Sequence, residues 1–297
     1  MDIRACFVII TSLVITNCYG QATLLWKIEC DSCPKTSYLM GTNHGFDGDY
    51  LFKHQQLAAI AYSVDAIADE ADRSVLKDKL IHDDSLIAGV SLRDLVDSAD
   101  YELVAKKFQS VYYVPFSMVE KYYPHAIQQG IYFGQAGNYN TEYHKTHPDD
   151  TTYHRFMDYM IQDIAIERKI PLYGLETRDE IYKMQYRDMP LKEQAKMLVN
   201  TLKTNPDDIR YKMADTCFTD QSLDCLCSVV PGVSTYSRPG DSTLIYKRNL
   251  LWMEKIPALL HKQSLLIAVG AMHLCGNYGL VDLLIRKKYK LTPLLYK

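Results

Sequence analysis

The sequence predicts an α/β fold: a central mixed sheet, a strand–GxxH–helix unit near each end of the chain, and a largely helical insertion between them. Three observations carry this. The stretch Ser37-Tyr38-Leu39-Met40-Gly41-Thr42-Asn43-His44 is an apolar run closed by Gly, two small or polar residues and His. The same pattern returns in Leu265-Leu266-Ile267-Ala268-Val269-Gly270-Ala271-Met272-His273. Each copy is followed by a segment of helical character and then by a further short strand, as in a crossover unit. A buried strand that ends in Gly can turn sharply or pass close to a ligand. A histidine three positions later stands at the strand mouth, the edge where open α/β sheets bind ligands.

The first twenty residues read separately. Met1-Asp2-Ile3-Arg4 carries one basic side chain, Ala5 to Thr16 is nearly all apolar, and Cys18-Tyr19-Gly20 offers small residues before a cleavage point at Gln21. This is the layout of a secretory signal peptide, too short to span a membrane. Asn17 fits a lipid-attachment signal at Cys18 poorly. The expected mature chain, 21–297, is therefore periplasmic or extracellular and lacks a membrane span.

In chain order, Leu24 to Ile28 reads as the first strand, and the CDSCPKT turn leads to the first GxxH strand. Leu57, Ile60, Ala61 and Val64 follow helical spacing, and Asp65 to Glu70 reads as a strand ending on acids. Residues from about 74 to 165 read as the helical insertion, with Ser91 capping one helix and Pro115 and Pro124 interrupting others. Phe156, Met160, Ile161 and Ile164 mark a helix running to Lys169. Ile170 to Glu176 is a strand ending in Glu, Met189 to Thr204 a helix, and Thr216 to Gly240 a loop with three cysteines. Leu244 to His261 is helical. The second GxxH strand, a helix from Leu280 to Lys288 and a strand Leu291–Tyr296 close a single domain.

Composition narrows the function. With a net charge of −3, nothing points to nucleic acid or to an anionic membrane surface. The 23 tyrosines read first as half-buried packing and offer a peptide-binding groove as a second reading. No GxSxG elbow and no Gly-rich phosphate loop occurs, which disfavours serine hydrolases and nucleotide enzymes. Six cysteines remain after the leader, and an exported chain pairs them. Cys30 and Cys33 are expected as a local hairpin disulfide, Cys217 with Cys225 or Cys227, and Cys275 as a buried thiol.

Four side chains stand at predicted strand ends: His44, Glu70, Glu176 and His273. Two imidazoles and a carboxylate are a common ligand set for a catalytic divalent metal, with positions left open for water. His44, Glu70 and His273 are thus the expected metal ligands, for Mn, Co or Zn. Glu70, following directly on the first GxxH helix, is expected on the strand beside that of His44 and serves as ligand or general base. Glu176 is expected to orient substrate or to support the ligands, and Arg248 to stabilise an oxyanion or to orient a carboxylate. The other histidines, His54, His82, His125, His144, His147, His154 and His261, read as surface residues; His144 and His147 are a weak metal pair at best.

These residues resemble the TraB/GumN family, which includes the Tiki metalloproteases. The resemblance rests on Leu25-Trp26-Lys27-Ile28, SYLMGTNH, Ala68-Asp69-Glu70, Phe156-Met157-Asp158, PLYGLETRDE, Arg248-Asn249 and VGAMHLCGNYGLVDLL, and covers nearly all of the mature chain. It implies a fold similar to the erythromycin esterases and the haem-binding ChaN proteins. In the Tiki branch it implies metal-dependent proteolysis. Two readings stay open: an exported metallopeptidase acting on a peptide or protein, or a binding protein that holds haem or a peptide in the same crevice, with a Tyr or His as axial ligand.

Overall fold

The computed structural model describes residues 23–44, 49–71, 89–146, 156–203, 209–229 and 245–297. The leader with Cys18, residues 72–88 of the expected insertion and the loop at His147-Pro148 lie outside them. Strand β1 (Leu25–Glu29) forms a hairpin with β2 (Ser37–Thr42), and β2 is followed by α1 (Asp49–Lys53), α2 (Gln55–Ser63) and β3 (Ala66–Ala71). The helical middle holds α3 (Ser98–Tyr112) and α4 (Pro124–Thr146). Next come α5 (Met157–Arg168), β4 (Leu172–Glu176), α6 (Arg178–Tyr182), α7 (Leu191–Lys203), α8 (Ile209–Thr219) and α9 (Leu223–Val229). The chain closes with α10 (Tyr246–Lys262), β5 (Leu265–Gly270), a 3-10 turn at Ala271–Leu274, α11 (Leu280–Arg286) and β6 (Lys290–Leu294).

The six strands form one mixed sheet in the order β4-β3-β5-β2-β1-β6. The first four run parallel; β1 runs antiparallel to β2 beside them, and β6 pairs antiparallel with β1 at the edge. Every residue of β5 is buried, as expected of a parallel strand covered on both faces. Helices α2, α5 and α10 cover it: Leu57, Ile60, Ile161, Ile164, Trp252 and Ile256 all join the core around the sheet. Burying each such large apolar side chain contributes about 1.5–3 kcal/mol.

A second apolar cluster lies among the helices. In α3, Tyr101, Val104, Phe108 and Val111 fall on one face and pack with Ile127, Ile131, Leu198 and Val199. Asp97 caps this helix by accepting from the Asp100 amide at 2.8 Å, a contribution of about 1 kcal/mol. The helical lobe thus draws α7 from beyond β4. Helix α5, inside the expected 74–165 insertion, packs on the sheet through Met157, Ile161, Ile164 and Ala165.

Several expectations need correction. The strand beside β2 is β5, not β3, because both ends of the chain enter the middle of the sheet. The segment expected as a cysteine-bearing loop is largely helical up to Val229, as α8 and α9, with the rest lying outside the described residues. Cys275 is not a free thiol: it is bonded to Cys227, while Cys217 pairs with Cys225 and Cys30 with Cys33. The second GxxH turn brings Cys275 back onto α9, a long-range meeting that local spacing does not encode. His125 is buried rather than on the surface. No described helix is long and apolar enough to cross a membrane.

Candidate functional site

The parallel strands deliver their carboxyl ends to one edge of the sheet. His44 follows β2 by two residues, Glu70 lies at the end of β3, Glu176 ends β4, and His273 sits on the 3-10 turn after β5. Helix α10 crosses this edge and adds Arg248, Asn249 and Trp252. All five residues singled out from the sequence meet here.

Glu70 is the hub. One of its carboxylate oxygens, Oε1, accepts from the Gly270 amide at 2.8 Å. The same oxygen lies 3.5 Å from Nε2 of His44 and 3.5 Å from Nε2 of His273. The other, Oε2, accepts from Nη2 of Arg248 at 2.5 Å. Strands two places apart are separated by about 10 Å, so His44 and Glu70 meet only because both side chains lean over β5. Gly270 makes room for them. A Cβ there would stand 2.9 Å from His44 Nε2 and 3.2 Å from Glu70 Oε1. Its partner in the first motif, Gly41, is required for a different reason: a Cβ would meet Ala271 Cα at 3.0 Å, so β2 could not run beneath the second turn.

Each imidazole is held by its far nitrogen. His44 Nδ1 lies 2.7 Å from Asp158 Oδ2, and Thr42 donates to the other oxygen of Asp158 at 2.5 Å. His273 Nδ1 lies 2.7 Å from Asn249 Oδ1. Asn249 in turn donates to the carbonyls of His273 and Tyr278 at 3.0 and 2.7 Å, so its amide oxygen is left to accept from the ring. That fixes the proton of His273 on Nδ1 and leaves an Nε2 lone pair facing Glu70. Trp252 covers the ring at a centroid distance of 4.3 Å. Anchoring one nitrogen and presenting the other is how metal-binding histidines are oriented.

Arg248 lies between the two glutamates. Its Nε donates to both oxygens of Glu176 at 2.9 Å, and its Nη2 reaches Glu176 and Glu70 together. Nη1 lies 3.4 Å from His273 Nε2. Glu176 is 3% exposed and committed to this guanidinium. Removing one partner from such a buried cluster would strand an uncompensated charge.

The electrostatics follow from these contacts. Burial disfavours a charge on Glu70, but Arg248 outweighs it and holds the carboxylate well below the usual range. Burial raises Glu176 despite Arg248. Burial lowers His273 to about 3, so its ring is neutral. Burial also opposes a charge on His44, yet Asp158 and then Glu70 overcome it and raise its pKa; with 56% of that side chain exposed, solvent softens the pull. Behind His44, burial and then the Asp158 charge push Asp69 well above the usual carboxylate range. Gln162 of α5 donates to Asp69 at 2.7 Å and to the Ala71 carbonyl at 3.1 Å, which ties the helix bearing Asp158 to β3.

The family model of the TraB/PrgY/gumN family matches residues 24–293. The chain belongs to this family. The match takes in both GxxH motifs, both glutamates and Arg248, so the whole sheet edge lies within the family's domain. No curated protein matches the chain.

The residues at this edge offer imidazole and carboxylate donors, the types that hold divalent cations, although His44, Glu70 and His273 are not among the donor trios of the described residues whose atoms all lie within 4.8 Å of one another. Glu70 and Glu176 share the Arg248 guanidinium, while Asp158 faces His44, so a proton on His44 or a cation in its place would offset the remaining negative charge. Both Nε2 atoms and Glu70 Oε1 are hard-to-borderline donors suited to Mn, Co or Zn. Reasoning from sequence missed two members, Asp158 and Asn249. An Asp in the first turn of a helix reads as a cap or dipole partner, and an Asn beside an Arg has no signature of its own.

Proposed function

We propose that this chain is an exported metal-dependent hydrolase that cleaves peptide bonds. The observation that supports it most is the convergence of two imidazoles, from opposite ends of the chain, on one oxygen of Glu70. Each has its other nitrogen anchored. Export is supported by the leader-like first twenty residues and by three disulfides. The peptide substrate rests on the resemblance to the Tiki branch of the family.

In this reading His44, Glu70 and His273 hold the metal. A divalent ion bound there supplies a Lewis acid and a nucleophilic water near neutral pH. Asp158 and Asn249 keep the two rings in place. Glu70, ionised at neutral pH, would supply the carboxylate ligand, its other oxygen being held by Arg248. Arg248 brings positive charge beside the imidazoles, where an oxyanion developing on a carbonyl oxygen is stabilised. Glu176, buried behind Arg248, orients that guanidinium and keeps it from swinging away.

The test is turnover of a peptide library by purified protein supplied with Mn²⁺, Co²⁺ or Zn²⁺. Cleavage is expected with at least one ion and is lost in His44→Ala and His273→Ala, each shown by circular dichroism to be folded. Absence of cleavage with all three ions, or undiminished cleavage by the two variants, overturns the proposal.

A further inference from the structure

The opposite edge of the sheet carries a second constellation that the hydrolase reading does not use. The turn joining β1 to β2 holds the disulfide Cys30–Cys33, and the carboxyl end of α10 brings His261 against it. One His261 nitrogen and the two sulfurs all lie within 4.8 Å of one another. The ring is fixed from both sides: Nδ1 is 3.2 Å from the Ser32 hydroxyl and Nε2 is 3.3 Å from the Tyr289 hydroxyl. Asp31 and Ser32, between the two cysteines, are exposed, so the sulfurs lie beneath an open turn.

This disulfide adds little that the fold lacks. Its closed loop spans a sequence separation of 3, against 48 for Cys227–Cys275, and a short loop removes the least entropy from the unfolded chain. The hairpin it closes is already fixed by paired strands from Leu25↔Met40 to Ile28↔Ser37. By contrast, Cys217 and Cys275 are buried in the core. A Cys-x-x-Cys pair beside an imidazole, at an exposed turn, is the microenvironment that favours a reactive thiolate.

We propose that Cys30–Cys33 is a redox-active thiol–disulfide exchange site, with His261 as the group that stabilises its thiolate, and that its substrate is a dithiol peptide or protein. A thiolate of the incoming dithiol attacks one sulfur of Cys30–Cys33. The sulfur–sulfur bond breaks, and its electron pair stays on the departing sulfur, a thiolate held beside the His261 ring. The second thiol of the substrate, losing its proton, then attacks the mixed disulfide. The attack expels the remaining Cys sulfur as a thiolate, oxidised substrate leaves, and the two Cys thiolates take up the two protons that the substrate thiols released, so two electrons and two protons have passed to this protein. A second disulfide, such as oxidised glutathione, restores the starting state.

The experiment uses the whole purified protein and two readouts. In the first, the wild type is equilibrated in graded mixtures of reduced and oxidised glutathione, alkylated and mapped by mass spectrometry. Cys30–Cys33 is expected to open before the other two disulfides; if it opens with them or after them, the proposal fails, and this readout depends on no variant. In the second, oxidation of a reduced two-cysteine peptide by oxidised glutathione is followed with and without the protein. Acceleration is expected for wild type and absent in the Cys30→Ser, Cys33→Ser double variant; equal rates overturn the idea. His261→Ala should slow iodoacetamide alkylation of the reduced pair about tenfold at neutral pH, and an unchanged rate removes His261 from the site. These substitutions lie at the edge away from His44, so peptide hydrolysis should be unaffected by them.

Discussion

Gly270→Ala separates the fold from the site. At Gly270 φ is −48° and ψ is 131°, an extended conformation that alanine adopts without strain. The new methyl would lie 2.9 Å from His44 Nε2, 3.2 Å from Glu70 Oε1 and 3.5 Å from His44 Cε1. Ordinary contact needs about 3.5 Å or more, so the His44 ring must move by roughly half an ångström. It can do so cheaply, because 56% of its side chain faces solvent. The cost of crowding is offset by the lower chain entropy of alanine when unfolded, and the net stability change should stay within about 1 kcal/mol. Metal affinity should fall about 10–100-fold, as when a ligand loses its orientation. Gly41→Ala is the contrast: its methyl meets backbone, Ala271 Cα at 3.0 Å, so stability should fall first. The assay pairs denaturant unfolding with competition against a chelating dye. A Gly270→Ala protein that binds metal as tightly as wild type would refute the claim that His44 and Glu70 share an ion above this residue.

Three other perturbations separate parts of the account. Glu70→Gln should lose both metal and turnover, whereas Glu176→Gln should keep the metal and lose about 10–100-fold in rate; measured metal content and rate in the opposite pattern would exchange the two roles. His125 is buried, and burial holds its pKa below the ordinary value near 6.5. The native state therefore disfavours the charged ring, so its contribution is complete above the unfolded pKa and is lost as pH falls below it. Denaturant midpoints at pH 7.5 and pH 5 should differ less in His125→Gln than in wild type. Replacing both Cys227 and Cys275 by Ser should cost about 4 kcal/mol from a loop spanning a separation of 48; an unfolding free energy within 1 kcal/mol of wild type would remove this bond as a major staple.

The parts of the fold legible in the sequence were those written locally. Apolar runs such as Leu265–Val269 announced buried strands, and the helical spacing of Leu57, Ile60 and Ala61 announced α2. Strand-end acids and histidines were legible because a strand mouth is a short, polar interruption of an apolar pattern. The order of the strands was not. That β5 inserts between β2 and β3 depends on packing of helices from both ends of the chain, and no neighbouring residues encode it. The consequence for the site was large: contact between His44 and Glu70 depends on the missing side chain of Gly270, not on adjacent strands. Cys227–Cys275 was hidden for the same reason, since Leu223–Val229 reads as loop until Leu223 and Leu226 are seen to enter the core. Asp158 and Asn249 were legible only as members of the resembling segments Phe156-Met157-Asp158 and Arg248-Asn249, not as site residues, because each acts only through a histidine distant in sequence.

The most direct measurement is metal stoichiometry by elemental analysis, after loading with Mn²⁺, Co²⁺ or Zn²⁺ and removal of excess ion. Wild type should retain one ion per chain, while His44→Ala, Glu70→Gln and His273→Ala each retain none and keep the wild-type circular dichroism. Retention of the same amount by the three variants, or none by wild type, would contradict the account.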